Sequence, residues 1–270
     1  PAAVLRVAAG GAPGLEAKAS ATTLEPAQAD LAPGASILVS QDDARERHVK
    51  LERVDFAEVA ATAHHVSMFP EFRRQFAGQV LRPGLALRVA RIALLFTDLT
   101  GSTALYTEVG DARAFRVVQS HFELLERLVA AHGGTVVKTI GDAVMAAFVR
   151  EEDAVRAAAA MHREFHAFRK TEADADALSL KIGAFAGPCY AVTANGVLDY
   201  FGQTVNVAAR LQGAAHGGEL VLADSLADTA QRLGWFDAAL PRERFAAELK
   251  GLSEPLVAAR VVMDEAAVLR

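Results

Sequence analysis

Residues 91–103 read RIALLFTDLTGST. The first six of these residues are mostly apolar, which is typical of a buried strand, and residues 98–103 predict a turn from the end of that strand into a helix. Strands and helices alternate from Leu85 onward. We therefore predict an α/β domain whose sheet is covered by helices.

A second stretch, residues 135–149, predicts a β-hairpin. Its two β-rich runs are separated by Gly141 and Asp142, a two-residue pair that favours a tight turn between antiparallel strands. Before it, Asp111 is a suitable N-cap for a helix that Gly133 and Gly134 end. After it, the pattern predicts helices over 151–170 and from about 203 to 216, and strands over 178–187, 190–193, 219–223 and 256–262.

The N-terminal part has a different pattern. Short strands are expected at residues 15–21, 36–40 and 47–54, with turns at 10–14 and 33–34. We predict a small β-rich module over residues 1–54, a helical linker over 55–88 and the main domain over 89–264.

Composition excludes several classes of partner. The 270 residues carry a net charge of −5, and no basic cluster is dense enough for a nucleic-acid or anionic membrane surface. A single cysteine, Cys189, cannot form an internal disulfide. No apolar run approaches the ~18–20 residues of a membrane span, and the start lacks a signal-peptide pattern. We expect a cytoplasmic chain that contacts neither nucleic acid nor membrane.

Two carboxylates are candidates for chemistry. Asp98 leaves the end of a predicted strand, and Asp142 lies at the predicted hairpin tip. An aspartate in a turn is usually a cap or turn former. Here small residues after Asp98 open a helix, where backbone N–H groups can approach phosphate, and carboxylate oxygens beside phosphate suit Mg²⁺.

Four motifs carry a family resemblance. FTDLTGST at 96–103, KTIGD at 138–142, DYFG at 199–202 and VNVAAR at 205–210 resemble, in order, the motifs of class III adenylate and guanylate cyclases. The resemblance spans roughly residues 91–262. It implies a ferredoxin-like βαββαβ fold with additional strands and helices. It also implies a signalling enzyme that converts ATP to 3′,5′-cyclic AMP and pyrophosphate.

The resemblance also implies roles for individual residues. The metal site, for two Mg²⁺ or Mn²⁺ ions, would comprise Asp98, Leu99 and Asp142. Arg210 would stabilise charge on the α-phosphate and Asn206 would hold the ribose; they lie four residues apart and so share a helix face. The remaining substrate-binding positions are Lys138, Asp199, Lys250, Gly101, Ser102 and Thr103.

Each of these assignments has a plain structural alternative. Asn206 and Arg210 could be a solvated helix stripe, and Lys250 a surface lysine. For the base, a Lys donor with an Asp acceptor complements adenine, but exchanged positions would serve guanine, so residue types leave the base open. The resemblance favours ATP, because guanylate cyclases usually place Glu at the Lys position and a small residue or Cys at the Asp position.

One departure from the family pattern is visible. Many relatives read Gly-Ile-His-x-Gly where this chain has GAFAG at 183–187, a segment to which we assign no catalytic role. The chain holds both halves of a shared site, so we expect a symmetric homodimer. Two alternatives stay open: a guanylate or other nucleotide cyclase, and a catalytically silent domain that binds nucleotide or dimerises.

Overall fold

The structure is a computed structural model. It describes residues 3–20, 22–41, 48–49, 51, 66, 69, 71–72, 75, 85–194, 197–237, 239–248 and 254–263. The chain divides into two compact units, Pro1–Glu58 and Val59–Arg270. Among the described helices, none has the length and apolar character that crossing a membrane requires.

The first unit is a three-stranded sheet. Its strands are β1 (Val4–Ala19), β2 (Leu24–Glu25) and β3 (Gln28–Gln41), in the order β2-β1-β3. β1 runs antiparallel to β2 and parallel to β3. The β-rich character expected for this region is confirmed.

The turns predicted at 10–14 and 33–34 are wrong, because β1 and β3 run through them. The pairing of β1 with β3 is irregular there, since Val7 and Ala12 both face Leu31. A Cβ atom on Gly11 would lie 2.2 Å from the Leu31 carbonyl carbon. Glycine therefore permits a close approach of two strands at this point, which sequence alone does not distinguish from a turn.

The helical linker predicted for 55–88 falls largely outside the described residues, as does the strand predicted for 47–54. Where the linker is described, residues 66, 71–72 and 75 have helical backbone. Its last residues, from Ala86, belong instead to the first strand of the second unit.

The second unit combines eight strands with five helices among its described residues. The strands are β4 (Ala86–Thr100), β5 (Thr135–Ile140), β6 (Ala143–Phe148), β7 (Ser179–Ala194), β8 (Val197–Phe201), β9 (Glu219–Ala223), β10 (Arg242–Ala247) and β11 (Leu256–Val262). The helices are α1 (Ser102–Val109), α2 (Asp111–Ala131), α3 (Glu151–Thr171), α4 (Gln203–Gly213) and α5 (Asp224–Arg232).

The sheet confirms the predicted βαββαβ core. Strand order is β10-β11-β9-β7-β4-β6-β5, with β8 added to β7. All neighbours are antiparallel except β7 and β9. Along the chain, β4, α2, β5, β6, α3 and β7 form the βαββαβ unit, and β8 to β11 with α4 and α5 are the additional elements.

Helices cover both faces of this sheet. Alternate residues of β4 point to opposite faces, so Leu95 and Leu99 pack with α2, α3 and α5, whereas Leu94 and Phe96 pack on the side of α4. Leu94 and Leu95 are both fully buried. Residues 92–96 of the central strand therefore lie between two apolar layers.

Several boundaries differ from the predictions. The strand expected at 91–96 extends over β4, and those expected at 178–187 and 190–193 form the single strand β7. Asp111 is the first helical residue rather than the N-cap, which is Gly110. With φ near 80°, Gly110 redirects the chain directly from α1 into α2.

Candidate active site

Asp98 and Asp142 lie at neighbouring strand ends. Asp98 is near the end of β4, and Asp142 lies in the turn between β5 and β6. Phe96 pairs with Met145, and continuing this antiparallel register brings both aspartates to one edge of the sheet. The buried Thr97 hydroxyl of β4 accepts a hydrogen bond from the Val144 N–H of β6 at 3.1 Å, which joins the two strands near this edge.

A lysine that the sequence analysis did not single out joins this edge. Lys181 of β7 pairs in register with Asp98, and its Nζ lies 2.8 Å from Asp98 Oδ2. By contrast, Asp142 Oδ2 is buried without a hydrogen-bond partner in the described part of the chain. Lys181 was missed because a lone lysine in a strand is usually a solvent-facing residue, and only the strand register reveals its partner.

The start of α1 follows Asp98 directly. Gly101 has φ near 94°, and a Cβ atom there would lie 3.1 Å from the Ala177 carbonyl oxygen. The Ser102 hydroxyl donates to the Leu99 carbonyl at 3.3 Å. The first N–H groups of a helix lack intrahelical partners. Those of Ser102 and Thr103 can therefore donate hydrogen bonds to an anionic ligand beside Asp98.

Lys138 and Asp199 form an ion pair within the chain. Lys138 Nζ on β5 lies 2.6 Å from Asp199 Oδ2 on β8. The other Asp199 oxygen accepts the Tyr200 backbone N–H at 2.8 Å. Asp199 is buried, whereas Lys138 keeps 39% of its side chain exposed. One cationic donor and one anionic acceptor thus lie side by side at a partly open position.

Asn206 and Arg210 lie on α4. Asn206 is exposed and Arg210 half-buried. Within the described residues, neither of these two side chains makes a hydrogen bond or ion pair. In the same part of the chain, no hydrogen bond or ion pair links the two aspartates to the other four candidates, Lys138, Asp199, Asn206 and Arg210. In the described part of the chain, the side-chain ion pairs therefore join Asp98 to Lys181 and Lys138 to Asp199, and do not join these two sets to each other. Lys250 lies outside the described residues.

Two glycines seat α4 on the sheet. A Cβ atom on Gly183 of β7 would lie 2.0 Å from the Gln212 backbone nitrogen, and one on Gly187 would lie 2.7 Å from Thr204 Oγ1. Thr204 also donates to the Pro188 carbonyl at 2.6 Å. The GAFAG segment thus has a packing role: its glycines set how closely the helix carrying Asn206 and Arg210 approaches β7.

A buried histidine lies on α2, the helix between β4 and β5. His121 of α2 is fully buried, and burial lowers its pKa to about 4, an effect that the Asp142 backbone carbonyl and the charge of Asp98 partly oppose. The sequence analysis did not single it out, because its position continues the apolar face of the helix.

The second unit matches a known family. A family model described as the adenylate and guanylate cyclase catalytic domain matches residues 86–252, more than half of the chain. The chain belongs to this family. The cyclase match begins with the first residue of β4 and includes both groups of candidate residues.

Individual relatives agree with this assignment. The chain is 32% identical over 170 residues to an adenylate cyclase of Mycosarcoma maydis, covering 55% of this chain but 7% of that protein. Among solved structures, it is similar to an adenylyl cyclase of P. aeruginosa (TM-score 0.55, 21% identity, 66% of this chain and 96% of that one). It is equally similar to a guanylate cyclase domain of Catenaria anguillulae in complex with GTP (TM-score 0.54, 19% identity, 65% and 97%).

The chain spans less than a quarter of the first curated relatives that it matches. The structural similarities, at these identities, show the cyclase fold alone.

The donor set at the aspartate edge fits a divalent cation. Carboxylate oxygens are hard ligands, and Asp142 presents a buried oxygen without a hydrogen bond. Among the described residues, no three His, Cys, Asp or Glu side chains converge as a cage. Two carboxylates without a third suit Mg²⁺ or Mn²⁺ held jointly with substrate phosphates, since Mg²⁺ usually binds protein through one or two carboxylates.

Proposed function

We propose that the second unit is an adenylate cyclase, which converts ATP to 3′,5′-cyclic AMP and pyrophosphate for signalling. The observation that carries this proposal is the meeting of Asp98 and Asp142 at one sheet edge, in a domain of the cyclase family. In the reaction, the ribose 3′-oxygen bonds to the α-phosphorus while the bond from that phosphorus to the bridging oxygen of pyrophosphate breaks. Pyrophosphate leaves with the electron pair of the broken bond, and the 3′-hydroxyl proton passes to water.

Asp98, Asp142 and the Leu99 carbonyl would hold two divalent cations, Mg²⁺ or Mn²⁺. Cations held there would supply Lewis-acid chemistry, lowering the pKa of the 3′-hydroxyl and neutralising charge on the leaving pyrophosphate. Lys181, already paired with Asp98, adds positive charge where the triphosphate would lie. The backbone of Gly101, Ser102 and Thr103 would bind phosphate oxygens at the start of α1, and Lys250 is proposed to meet the terminal phosphates.

Arg210 and Asn206 would act from α4. The Arg210 guanidinium would donate to the α-phosphate as negative charge develops there, a type of contribution whose loss costs about 10²- to 10³-fold in rate. Asn206 would orient the ribose. Support comes from the absence of intrachain partners for both side chains within the described residues, which leaves their donors available to a ligand.

The Lys138–Asp199 pair is compatible with ATP as the substrate. Adenine presents a ring acceptor at N1 beside an amino donor, which a lysine donor and an aspartate acceptor complement. The relatives named as adenylate cyclases agree with this choice. GTP remains the second candidate, because the fold matches a GTP-bound guanylate cyclase domain equally well.

We also propose a homodimer in which each site takes the aspartates of one subunit and Lys138, Asp199, Asn206 and Arg210 of the other. Support comes from the lack, among the described residues, of any hydrogen bond or ion pair that joins these two groups within one chain. It also comes from large apolar side chains that are about half exposed on β5, β7 and β8: Ile140, Tyr190, Val197 and Phe201. Exposed apolar clusters mark interaction surfaces, and in an antiparallel register Tyr190 faces Phe201.

The direct test is product analysis. The chain is incubated with each of the four nucleoside triphosphates and Mg²⁺ or Mn²⁺, and products are identified by mass spectrometry. We expect cyclic AMP from ATP, and no product from an Asp98→Ala variant. Cyclic GMP as the main product would show that GTP, and not ATP, is the preferred substrate. No cyclic product from any nucleotide would indicate the catalytically silent alternative.

Complementation tests the shared site. Asp98→Ala and Arg210→Ala remove one residue from each proposed group, so each homodimer should be inactive. In a mixture, about half of the dimers pair the two variants and regain one intact site. Failure to recover activity, with subunit exchange shown by mass spectrometry, would contradict the shared site.

A further inference from the structure

Arg260 of β11 binds the chain where α4 ends. Its Nη2 donates to the carbonyl of Ala214, the residue that follows the helix, at 3.1 Å. The last carbonyls of a helix lack intrahelical partners, and a cation beside them complements the negative end of the helix dipole. Since 18% of the Arg260 side chain is exposed, the contact is largely shielded from water. It joins β11 to the helix that carries Asn206 and Arg210.

Three further contacts hold the Arg260 guanidinium in this place. Nη1 donates to Glu243 Oε2 of β10 at 2.6 Å. Nε lies 3.0 Å from Glu219 Oε2 of β9, without the geometry of a hydrogen bond. The guanidinium carbon lies 4.7 Å from the centre of the Phe245 ring, a distance typical of a cation–π interaction. Residues of β9 and β10 thus fix the group that donates to Ala214.

The segment after α4 is linked to the same carboxylate. Glu219 Oε2 accepts the His216 backbone N–H at 2.7 Å. Within the helix end, the Ala214 N–H donates to the Arg210 carbonyl at 3.0 Å. Two consecutive hydrogen bonds therefore connect the guanidinium of Arg260 to the backbone of Arg210.

Arg210 depends on its helix for its position. Its side chain makes no hydrogen bond or ion pair within the described residues, so the backbone of α4 sets where its guanidinium begins. Close packing on Gly183 limits the distance between α4 and β7. A hydrogen bond is directional and weakens steeply with misalignment, so the bond at Ala214 also limits movement of the helix along its axis.

We propose that Arg260 is a positioning residue of the cyclase site: by holding the end of α4 at Ala214, it places Arg210 against the α-phosphate. This inference rests on the proposed function, because it takes Arg210 as the residue that meets the α-phosphate. Misplacing a catalytic group by about 1 Å can cost about 10²-fold in rate. Loss of Arg260 should therefore lower kcat, since Arg210 is proposed to act in the chemical step.

Arg242 of β10 provides a matched control. Its side chain is 13% exposed, and it pairs with the carboxylates of Asp224 and Asp228. It also donates to a backbone carbonyl at the start of a helix, that of Asp224, at 3.3 Å. The helix is α5, which carries none of the candidate residues. Replacing Arg242 shows what the loss of a largely buried, paired arginine does to the protein in general.

Steady-state kinetics with ATP are measured for Arg260→Met, Arg260→Lys and Arg242→Met, and thermal unfolding checks the fold. Methionine removes the donors, whereas lysine keeps the charge without the planar fork that serves several acceptors at once. We expect Arg260→Met to lower kcat about 10- to 100-fold with KM unchanged. Arg260→Lys should lie between Arg260→Met and the wild type, and Arg242→Met should keep the wild-type kcat. Wild-type kcat in folded Arg260→Met, or an equal loss in Arg242→Met, would overturn the inference.

Mixed dimers show on which side of the shared site Arg260 acts. When Arg260→Met pairs with Asp98→Ala, one site combines an intact Asp98 with an unaltered α4, so activity should recover. When it pairs with Arg210→Ala, both copies of α4 are affected, so activity should not recover. General damage to the fold would not produce this pattern. The reverse pattern, or recovery with neither partner while Asp98→Ala and Arg210→Ala complement each other, would overturn the inference.

Hydrogen exchange tests the contact without turnover. By mass spectrometry of peptides from α4 and α5, Arg260→Met should exchange faster at the end of α4 alone, and Arg242→Met faster in α5 alone. Unchanged exchange in α4 of Arg260→Met would overturn the inference. If Arg260→Met fails to fold, wild-type kcat and exchange in Arg260→Lys would overturn it instead.

Failure of the proposed function has a different outcome from failure of this inference. A wild-type protein that forms no cyclic product loses the proposed function, and the role of Arg260 with it. If Asp98→Ala and Arg210→Ala do not complement each other, the shared site fails, and kcat together with exchange decides the role of Arg260. A failure confined to Arg260 leaves wild-type activity and the loss in Arg210→Ala in place.

Discussion

Under the proposed function, Lys138 and Asp199 contact the base of the nucleotide. Lys138→Ala removes the donor of the 2.6 Å pair and leaves the buried Asp199 carboxylate without it. We expect kcat/KM for ATP to fall about 10- to 100-fold, because a hydrogen bond to a charged group contributes about 1.5–3 kcal/mol. The ratio of kcat/KM for ATP to that for GTP should fall with it.

Arg113→Ala is the matched control, since it breaks another close ion pair, in which Arg113 Nη2 lies 2.6 Å from Asp174 Oδ1. Steady-state kinetics with both nucleotides should show no change for Arg113→Ala. An unaltered ATP to GTP ratio in Lys138→Ala would remove this pair from base selection.

Cys189 should be inert in the folded protein. It is buried on β7, and burial raises the pKa of its thiol to about 11, so the reactive thiolate is scarce at pH 8. We expect no modification by iodoacetamide at pH 8 in the native state and complete modification in guanidinium chloride, followed by intact mass. Rapid native labelling would show that β7 opens.

At the scale of elements, the packing of α4 against β7 can be tested. In Gly183→Ala the new Cβ meets the Gln212 backbone, which cannot move aside without shifting the helix. We expect destabilisation by about 1–3 kcal/mol and a kcat about 100-fold lower, because small misplacements of catalytic groups are costly. Thermal unfolding measures the loss of stability, and steady-state kinetics with ATP measure kcat.

The control is Gly213→Ala at the end of the same helix, where a Cβ atom meets no other atom within 4 Å. It should keep full activity, with stability unchanged or raised by up to about 1 kcal/mol. If Gly183→Ala behaved like Gly213→Ala, the position of α4 on the sheet would not depend on Gly183.

Elements with strong local patterns were predicted, and those held by tertiary contacts were not. The β5–β6 hairpin and the helix α2 followed from a turn signal and an apolar period. In contrast, α5 and β10 were missed. Arg242 and Arg244 of β10 both pair with Asp224 at the start of α5, and contacts between residues this far apart in sequence leave no local pattern to detect.

The same distinction applies to the candidate site. Motif residues were found because their types and order are characteristic, and the family and fold predictions are confirmed. The position of Lys181 beside Asp98 could not be found, since it depends on the pairing of β4 with β7. The individual residue roles and the homodimer stay predictions.

For the molecule as a whole, buried histidines predict sensitivity to acid. His162 has a folded pKa of about 4 against 6.5 in the unfolded chain, so between these values the unfolded state binds more protons. His162 is buried in its neutral form, so above pH 6.5 the folded and unfolded states both keep it neutral and the free energy of unfolding is unaffected. The free energy of unfolding decreases as pH falls toward 4. The loss is on the order of 3 kcal/mol.

Replacing the histidine isolates its share. The unfolding free energy of His162→Phe, measured in urea from pH 7 to 4, should decline less steeply than that of the wild type. Identical slopes for the two proteins would mean that His162 gains its proton without unfolding.

The ion pair between Lys138 and Asp199 has a further consequence under the proposed function. Since Lys138 Nζ and Asp199 Oδ2 are already paired, an incoming base meets a donor and an acceptor that hold each other in place. Adenine would offer a partner to each group. A pyrimidine that reached only one of them would leave the other charge without a nucleotide partner, so discrimination would begin at binding, before any bond to phosphorus changes.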